Sequence, residues 1–178
     1  MGIAVIINWY GPYSTKADLA RAMKETWGKG EKCLYMASGV SGRVRYLGRT
    51  DNPAARLANH EKMADAANCS FYCAEIDSQG VSGPRSGRCQ PDLDIAERTL
   101  IALLRPELNE RGTRSLPGDC VVIYSRFFDA EDGFRRVDTP PGFPQLIAYD
   151  GWTDRWDAGL AAETPHLDFG QSQQATQN

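Results

Sequence analysis

Two short runs of β-prone residues on either side of a glycine-bearing turn constrain the fold of this chain more than any other feature. The runs cover residues 33–38 and 44–48, and the turn between them reads Gly39-Val-Ser-Gly42. Such a pattern is typical of a β-hairpin. Tyr35 and Tyr46 lie on the two predicted strands, so we expect them to approach each other across the sheet.

A helix, a strand and a second helix are predicted to follow the hairpin. Asn52 before Pro53 is a helix-start signal and predicts a helix over 53–65, while 70–76 has the composition of a strand. This order predicts an α+β fold with β/α additions at both ends. Further elements are predicted at 3–9 (strand), 16–27 (helix), 92–105 (helix), 119–125 (strand) and 146–149 (strand).

Length and composition favour one globular domain. The chain has 178 residues, of which 42% are hydrophobic and 24% charged, and this composition argues against a fibrous or wholly disordered chain. No apolar run approaches the roughly 20 residues that span a bilayer, and the amino end lacks a basic flank before its short apolar run. We therefore expect a cytoplasmic protein with no membrane partner.

Charge is distributed unevenly along the chain. Residues 129–170 carry nine acidic residues against three arginines, a net charge of −6 within a total of −3, so the remainder sums to +3. Residues 41–60 hold four arginines against one aspartate. Such a local basic stretch can bind a polyanion, although solvated surface arginines are the default explanation for it.

Glu97 is the most unusual residue of the predicted helix over 92–105. It lies four residues after Leu93 and four before Ile101, on the apolar stripe of the helix. A carboxylate on a core-facing stripe is desolvated at a cost unless a cation compensates it. Either a structural arginine or a divalent metal ion would satisfy this requirement, and the helix alone does not decide between them.

Arg56 and His60 are four residues apart on the helix predicted over 53–65 and therefore share one face. An arginine offers two-pronged donors to a phosphate, and a histidine can move a proton near neutral pH. Taken alone, such a pair is more often a surface coincidence than a site. Its meaning depends on what lies nearby.

Taken together, these residues resemble the GIY-YIG nuclease superfamily. Cys33-Leu34-Tyr35 stands where the first motif would be, and Tyr46-Leu47-Gly48 stands where the second would be. Arg49 follows directly, and the resemblance covers about residues 32–112. Cys33 and Leu34 depart from the glycine and isoleucine of the first motif. The catalytic positions that the resemblance implies are Tyr35, Tyr46, Arg49, Arg56, His60, Glu97 and Asn109.

The resemblance implies a small three-stranded antiparallel sheet flanked by helices over residues 31–115. The remaining ranges are then a strand–helix extension at 1–30, an acidic β-containing extension at 116–170, and a disordered tail at 171–178. The implied activity is metal-dependent endonucleolytic hydrolysis of DNA, with RNA left open. Glu97 would hold Mg²⁺ or Mn²⁺, both of which prefer oxygen ligands.

The resemblance also suggests a division of labour at the site. Either tyrosine would hold or deprotonate the attacking water, and Arg49 and Arg56 would grip the phosphate. His60 would relay a proton, and Asn109 would orient Glu97 or contact the backbone. The predicted nucleic-acid-binding residues outside this set are Arg43, Arg45, Arg85 and Arg88.

The class of protein has an alternative, which is a non-catalytic nucleic-acid-binding or regulatory module on the same scaffold. The acidic region 129–170 keeps this alternative open, because it could compete with phosphates for the arginines or dock a protein partner. Double-strand cutting by an enzyme with a single site would favour a homodimer.

Overall fold

The fold is built on one sheet of seven strands. The computed structural model describes residues 2–27, 32–58, 68–77, 90–110, 120–134 and 139–159. The strand order across the sheet is β3-β2-β4-β1-β5-β6-β7. The strands are β1 (Gly2–Tyr13), β2 (Cys33–Gly39), β3 (Val44–Thr50), β4 (Cys69–Ile76), β5 (Cys120–Phe128), β6 (Leu146–Asp150) and β7 (Arg155–Gly159), and the helices are α1 (Lys16–Thr26), α2 (Pro53–Ala58) and α3 (Gln90–Leu104).

The predicted fold class, a small three-stranded antiparallel sheet with additions at both ends, is wrong. Strand β1 lies in the middle of the sheet, antiparallel to β4 and parallel to β5. The strands that were expected to be additions thus continue the same mixed sheet. The physical reason is that β1 is buried around Val5, Ile7 and Trp9, so its backbone N–H and C=O groups need hydrogen-bond partners, which β4 and β5 supply on its two sides.

Most of the local elements agree with the sequence. The hairpin is present, because β2 and β3 pair antiparallel with Tyr35 opposite Gly48. Helix α1 agrees with the predicted range 16–27, and the hydroxyl of its cap residue Thr15 accepts the Asp18 backbone N–H at 3.1 Å. Strand β7 was missed, and β1 continues beyond the predicted range 3–9 to Tyr13, with a register shift between Tyr10 and Tyr13. Only 53–58 of the predicted helix 53–65 is described.

Different helices cover the two faces of the sheet, and the predicted site residues are divided between these faces. Leu34, Met36 and Leu47 lie in a core with Leu93 and Leu100 of α3, and we call this side the α3 face. The opposite side is the α1/α2 face. It buries Tyr35 and Tyr46 with Leu19 and Met23 of α1 and Leu57 of α2.

Strand β3 is the edge strand on the side of the predicted site, and the chain that follows α3 runs along it. The Leu108 N–H donates to the Arg45 carbonyl oxygen at 2.9 Å. Exposed strand edges carry unpaired backbone groups, so this segment covers part of an otherwise open edge. Within the part of the chain that the structure describes, no helix has both the length and the apolar character needed to cross a membrane.

Candidate functional site

Two tyrosines of the hairpin converge above a glycine on the α1/α2 face. The rings of Tyr35 and Tyr46 stack with centroids 5.8 Å apart. A Cβ atom at Gly48 would lie 2.9 Å from the Tyr46 hydroxyl oxygen and 3.1 Å from the Tyr35 hydroxyl oxygen. The missing side chain at Gly48 therefore creates the space in which the two hydroxyl groups meet.

Arg56 of α2 brings a cation to these hydroxyl groups. Its Nε donates to the Tyr35 hydroxyl at 3.4 Å, and its guanidinium also interacts with Tyr46. The start of α2 is fixed by Asn52, whose side-chain oxygen accepts the Ala55 N–H at 3.4 Å and whose carbonyl accepts the Arg56 N–H at 3.0 Å. The helix cap thus places Arg56 one turn into the helix and beside the tyrosines.

The two tyrosines differ in their access to solvent. Tyr35 is completely buried, whereas Tyr46 keeps 7% of its surface exposed. Burial is the main cause that raises the pKa of Tyr35, hydrogen bonding and charge interaction with Tyr46 raise it further, and Arg56 opposes the shift. Tyr35 is therefore a neutral hydroxyl at physiological pH that orients its neighbours, and Tyr46 is the one closer to water.

Glu97 lies at the edge of β3, next to Arg49. Its Oε2 is 2.8 Å from the Arg49 Nε, and its carboxylate also accepts a hydrogen bond from the Arg49 backbone. Desolvation is the largest effect and raises the pKa of Glu97, while Arg49 and then the charge of Arg56 lower it. The charge of Arg56 thus acts on Glu97 across the edge strand. The two residues lie near opposite faces of the sheet, because alternation along β3 directs the Arg49 side chain to the α3 face and the Tyr46 side chain to the α1/α2 face.

Asn109 fixes the same edge by two hydrogen bonds. The Leu47 N–H donates to its Oδ1 at 3.0 Å, and its Nδ2 donates to the Leu47 carbonyl at 2.7 Å. This amide therefore acts as a clamp on the strand that carries Tyr46, Gly48 and Arg49. Its described hydrogen bonds go to Leu47 rather than to Glu97.

The predicted nucleic-acid-binding arginines are placed in different ways. Arg43 is exposed beside the hairpin turn. Arg45 is engaged within the protein, with its Nε 2.5 Å from Oε1 of Glu107 and its NH1 3.9 Å from the Cys69 sulfur. His60, Arg85 and Arg88 lie outside the described residues.

Asp94 is a neighbour of the site that was not among the predicted site residues. It contacts the Arg49 NH1 while Glu97 contacts the Nε of the same guanidinium. The signal available in the sequence was its spacing, because a carboxylate three residues before Glu97 shares a helix face with it.

The oxygen donors present are compatible with a magnesium or manganese ion. Mg²⁺ typically keeps several waters and uses one or two carboxylates together with substrate phosphates. Glu97 provides a part-exposed carboxylate beside the site, with Asp94 one turn away. The described ranges contain no group of three or more histidine, cysteine, aspartate or glutamate side chains that could hold a metal ion by themselves.

No family model, curated protein or solved structure matches this chain.

Proposed function

We propose that this chain is a metal-dependent endonuclease that hydrolyses phosphodiester bonds of DNA in the cytoplasm. The observation that carries the proposal is that the two tyrosine hydroxyls and the Arg56 guanidinium meet at Gly48, while Arg49 of the same edge strand holds the Glu97 carboxylate, whose pKa the charge of Arg56 lowers. These groups come from β2, β3, α2 and α3. Nucleic acid is proposed as the substrate because the order of the motifs resembles that of the GIY-YIG nucleases.

Tyr46 is the better candidate for the residue that holds the attacking water. Tyr46 interacts with Arg56 and keeps 7% of its surface exposed, whereas Tyr35 is completely buried. A guanidinium beside this hydroxyl stabilises the charge that develops on a phosphate under attack. Tyr35 then acts as a positioning residue through its ring stacking and its bond to Arg56.

Glu97 is the residue that would hold the metal ion. A bound Mg²⁺ or Mn²⁺ would supply Lewis-acid stabilisation of the phosphate and of the leaving oxygen. The chain's own contribution is to present an oxygen donor at the sheet edge, which hydrogen bonds from Arg49 hold in place in the metal-free protein. Asn109 keeps the edge strand in register with that donor.

The test is cleavage of plasmid DNA, single-stranded DNA and RNA by purified protein, with and without Mg²⁺ or Mn²⁺. We expect metal-dependent cutting that falls at least about 100-fold in Arg56→Ala and Glu97→Gln, because each removes charge stabilisation from the transition state. Matched controls are Arg21→Ala and Glu25→Gln, both exposed on α1. Equal activity in all four variants would refute the proposal.

A non-catalytic nucleic-acid-binding module is the second candidate, and one observation favours it. Both carboxylates near the site are already paired with Arg49, as in a structural ion pair. This candidate predicts binding of DNA that depends on Arg56 but no strand cutting with either metal. The same assay, combined with a gel-shift measurement, separates the two functions.

The acidic region 129–170 remains a predicted contact for a protein partner or for self-inhibition. Strands β6 and β7 belong to this region and to the sheet, and Phe143 and Ile147 lie in the core. Truncation of the region would therefore remove part of the fold. Substitution of the exposed Asp154 and Asp157 by asparagine tests self-inhibition without that loss, since the variant should cut faster at low salt if the acids compete with DNA.

A further inference from the structure

A single guanidinium holds two carboxylates of helix α3 at the edge of the sheet. The Arg49 Nε is 2.8 Å from the Glu97 Oε2, and the Arg49 NH1 contacts the Asp94 Oδ1. Both nitrogens belong to one planar group, so the two carboxylates point at the same small region. Together the three side chains carry a net charge of −1, which leaves this region favourable for more positive charge.

We propose that the Arg49 guanidinium and a divalent cation compete for the carboxylates of Asp94 and Glu97. Metal binding would then release Arg49 toward the substrate phosphate. This inference rests on the proposed function, because the metal ion is the one that Glu97 would hold there. It adds a second ligand, Asp94, and it makes the arginine a stand-in for the ion in the metal-free protein.

The physical basis is the difference between the two cations. A divalent ion brings two charges and prefers hard carboxylate oxygens, whereas the guanidinium brings one charge spread over a plane. The Arg49 side chain is 36% exposed, so it can move into solvent or onto a phosphate without leaving a buried charge unpaired. Asp94, with 41% of its side chain exposed, is open to a hydrated ion.

The competition makes binding of the substrate depend on the metal. Without an ion, Arg49 is paired with the two carboxylates and is not available for a phosphate. With an ion, the carboxylates are neutralised by the metal, and the freed guanidinium adds a cation on the substrate side. The enzyme would therefore grip the phosphate at this point only when the metal needed for hydrolysis is already in place.

The experiment measures Mn²⁺ affinity of the full chain by isothermal titration calorimetry, without nucleic acid. We expect Arg49→Gln to bind Mn²⁺ at least about fivefold more tightly than the wild type, since a half-exposed ion pair no longer competes. Asp94→Asn should bind at least about fivefold more weakly. The matched control is Arg21→Gln, which removes an arginine from a helical ion pair with Asp18 and should leave Mn²⁺ affinity unchanged.

Two further variants make the result decisive. Adding Glu97→Gln to Arg49→Gln should abolish the gain, and persistence of the gain would mean that the ion binds elsewhere and would overturn the proposal. If Arg49→Gln does not fold, as judged by circular dichroism, Arg49→Lys serves instead. A lysine cannot bridge both carboxylates, so a smaller gain in the same direction is expected.

Unchanged or weaker Mn²⁺ binding in Arg49→Gln, or in Arg49→Lys where that variant is used, would refute the competition. Unchanged binding in Asp94→Asn would also refute it. The proposed function fails separately, through the cleavage assay. Tighter Mn²⁺ binding by Arg49→Gln without any strand cutting by the wild type would support the competition and refute the proposed nuclease function. Strand cutting by the wild type with no change of Mn²⁺ affinity in Arg49→Gln would support the nuclease function and refute the competition.

Discussion

Substitution of Gly48 by alanine tests whether the space between the two tyrosine hydroxyls matters. The new Cβ would lie 2.9 Å from the Tyr46 hydroxyl oxygen and from its Cε1, and 3.1 Å from the Tyr35 hydroxyl oxygen. Ordinary contacts begin near 3.4 Å, so the Tyr46 ring must move by about 0.5 Å. Tyr35 is fully buried and stacked on Tyr46, so neither ring can yield freely.

We expect Gly48→Ala to lower the free energy of unfolding by about 1–3 kcal/mol, the usual range for overpacking. The proposed nuclease activity should fall about 10–100-fold, because a displacement of this size at a group proposed to react degrades its alignment. Urea denaturation and plasmid cleavage under conditions where the variant is folded measure the two effects. Adding Tyr46→Phe should recover part of the stability, because it removes one clashing hydroxyl, but no activity.

Gly39→Ala is the matched control on the other strand of the hairpin. A Cβ there would lie 3.5 Å from the nearest atom, a side-chain carbon of Arg45, which is an ordinary contact. This variant should keep full activity and wild-type or slightly higher stability. If Gly48→Ala behaves like Gly39→Ala in both assays, the tyrosine hydroxyls do not define the site.

Three further outcomes are expected. Asn109→Ala should lower the free energy of unfolding by about 1–3 kcal/mol in urea denaturation, because both polar groups of Leu47 lose their partner, and an unchanged midpoint would contradict the clamp. Tyr46→Phe should lower kcat more than Tyr35→Phe does, and the reverse order in single-turnover cleavage would make Tyr35 the residue that holds the water. Hydrogen bonds from Thr153, Trp152 and Cys120 lower the pKa of Asp150 to about 2, below its unfolded value of 3.8. The stability that this carboxylate contributes is therefore present above pH 4 and lost toward pH 2. The thermal denaturation midpoint of Asp150→Ala should differ from that of the wild type at pH 7, and a difference that stays constant down to pH 2 would contradict this linkage.

Local elements could be predicted because their signals lie within a few residues. The hairpin follows from the glycines between two β-prone runs, and α1 follows from the Thr15 cap and its apolar spacing. Strand β7 escaped because its five residues carry two charges and no alternating apolar pattern. The seven-stranded sheet escaped for a different reason: β1 and β5 pair in parallel although more than 100 residues separate them, and no local pattern encodes that choice of partner.

The candidate site divides in the same way between sequence and fold. Helical spacing alone placed Glu97 on a stripe facing the interior and required a cation beside it, since a carboxylate is costly to desolvate. Only the tertiary structure decided that Arg49, from a strand 48 residues earlier, is a partner and that Asp94 shares it. Likewise, both tyrosines were visible in the sequence, but their burial, complete for Tyr35 and nearly complete for Tyr46, depends on which helices cover the sheet, and packing between distant segments settles that.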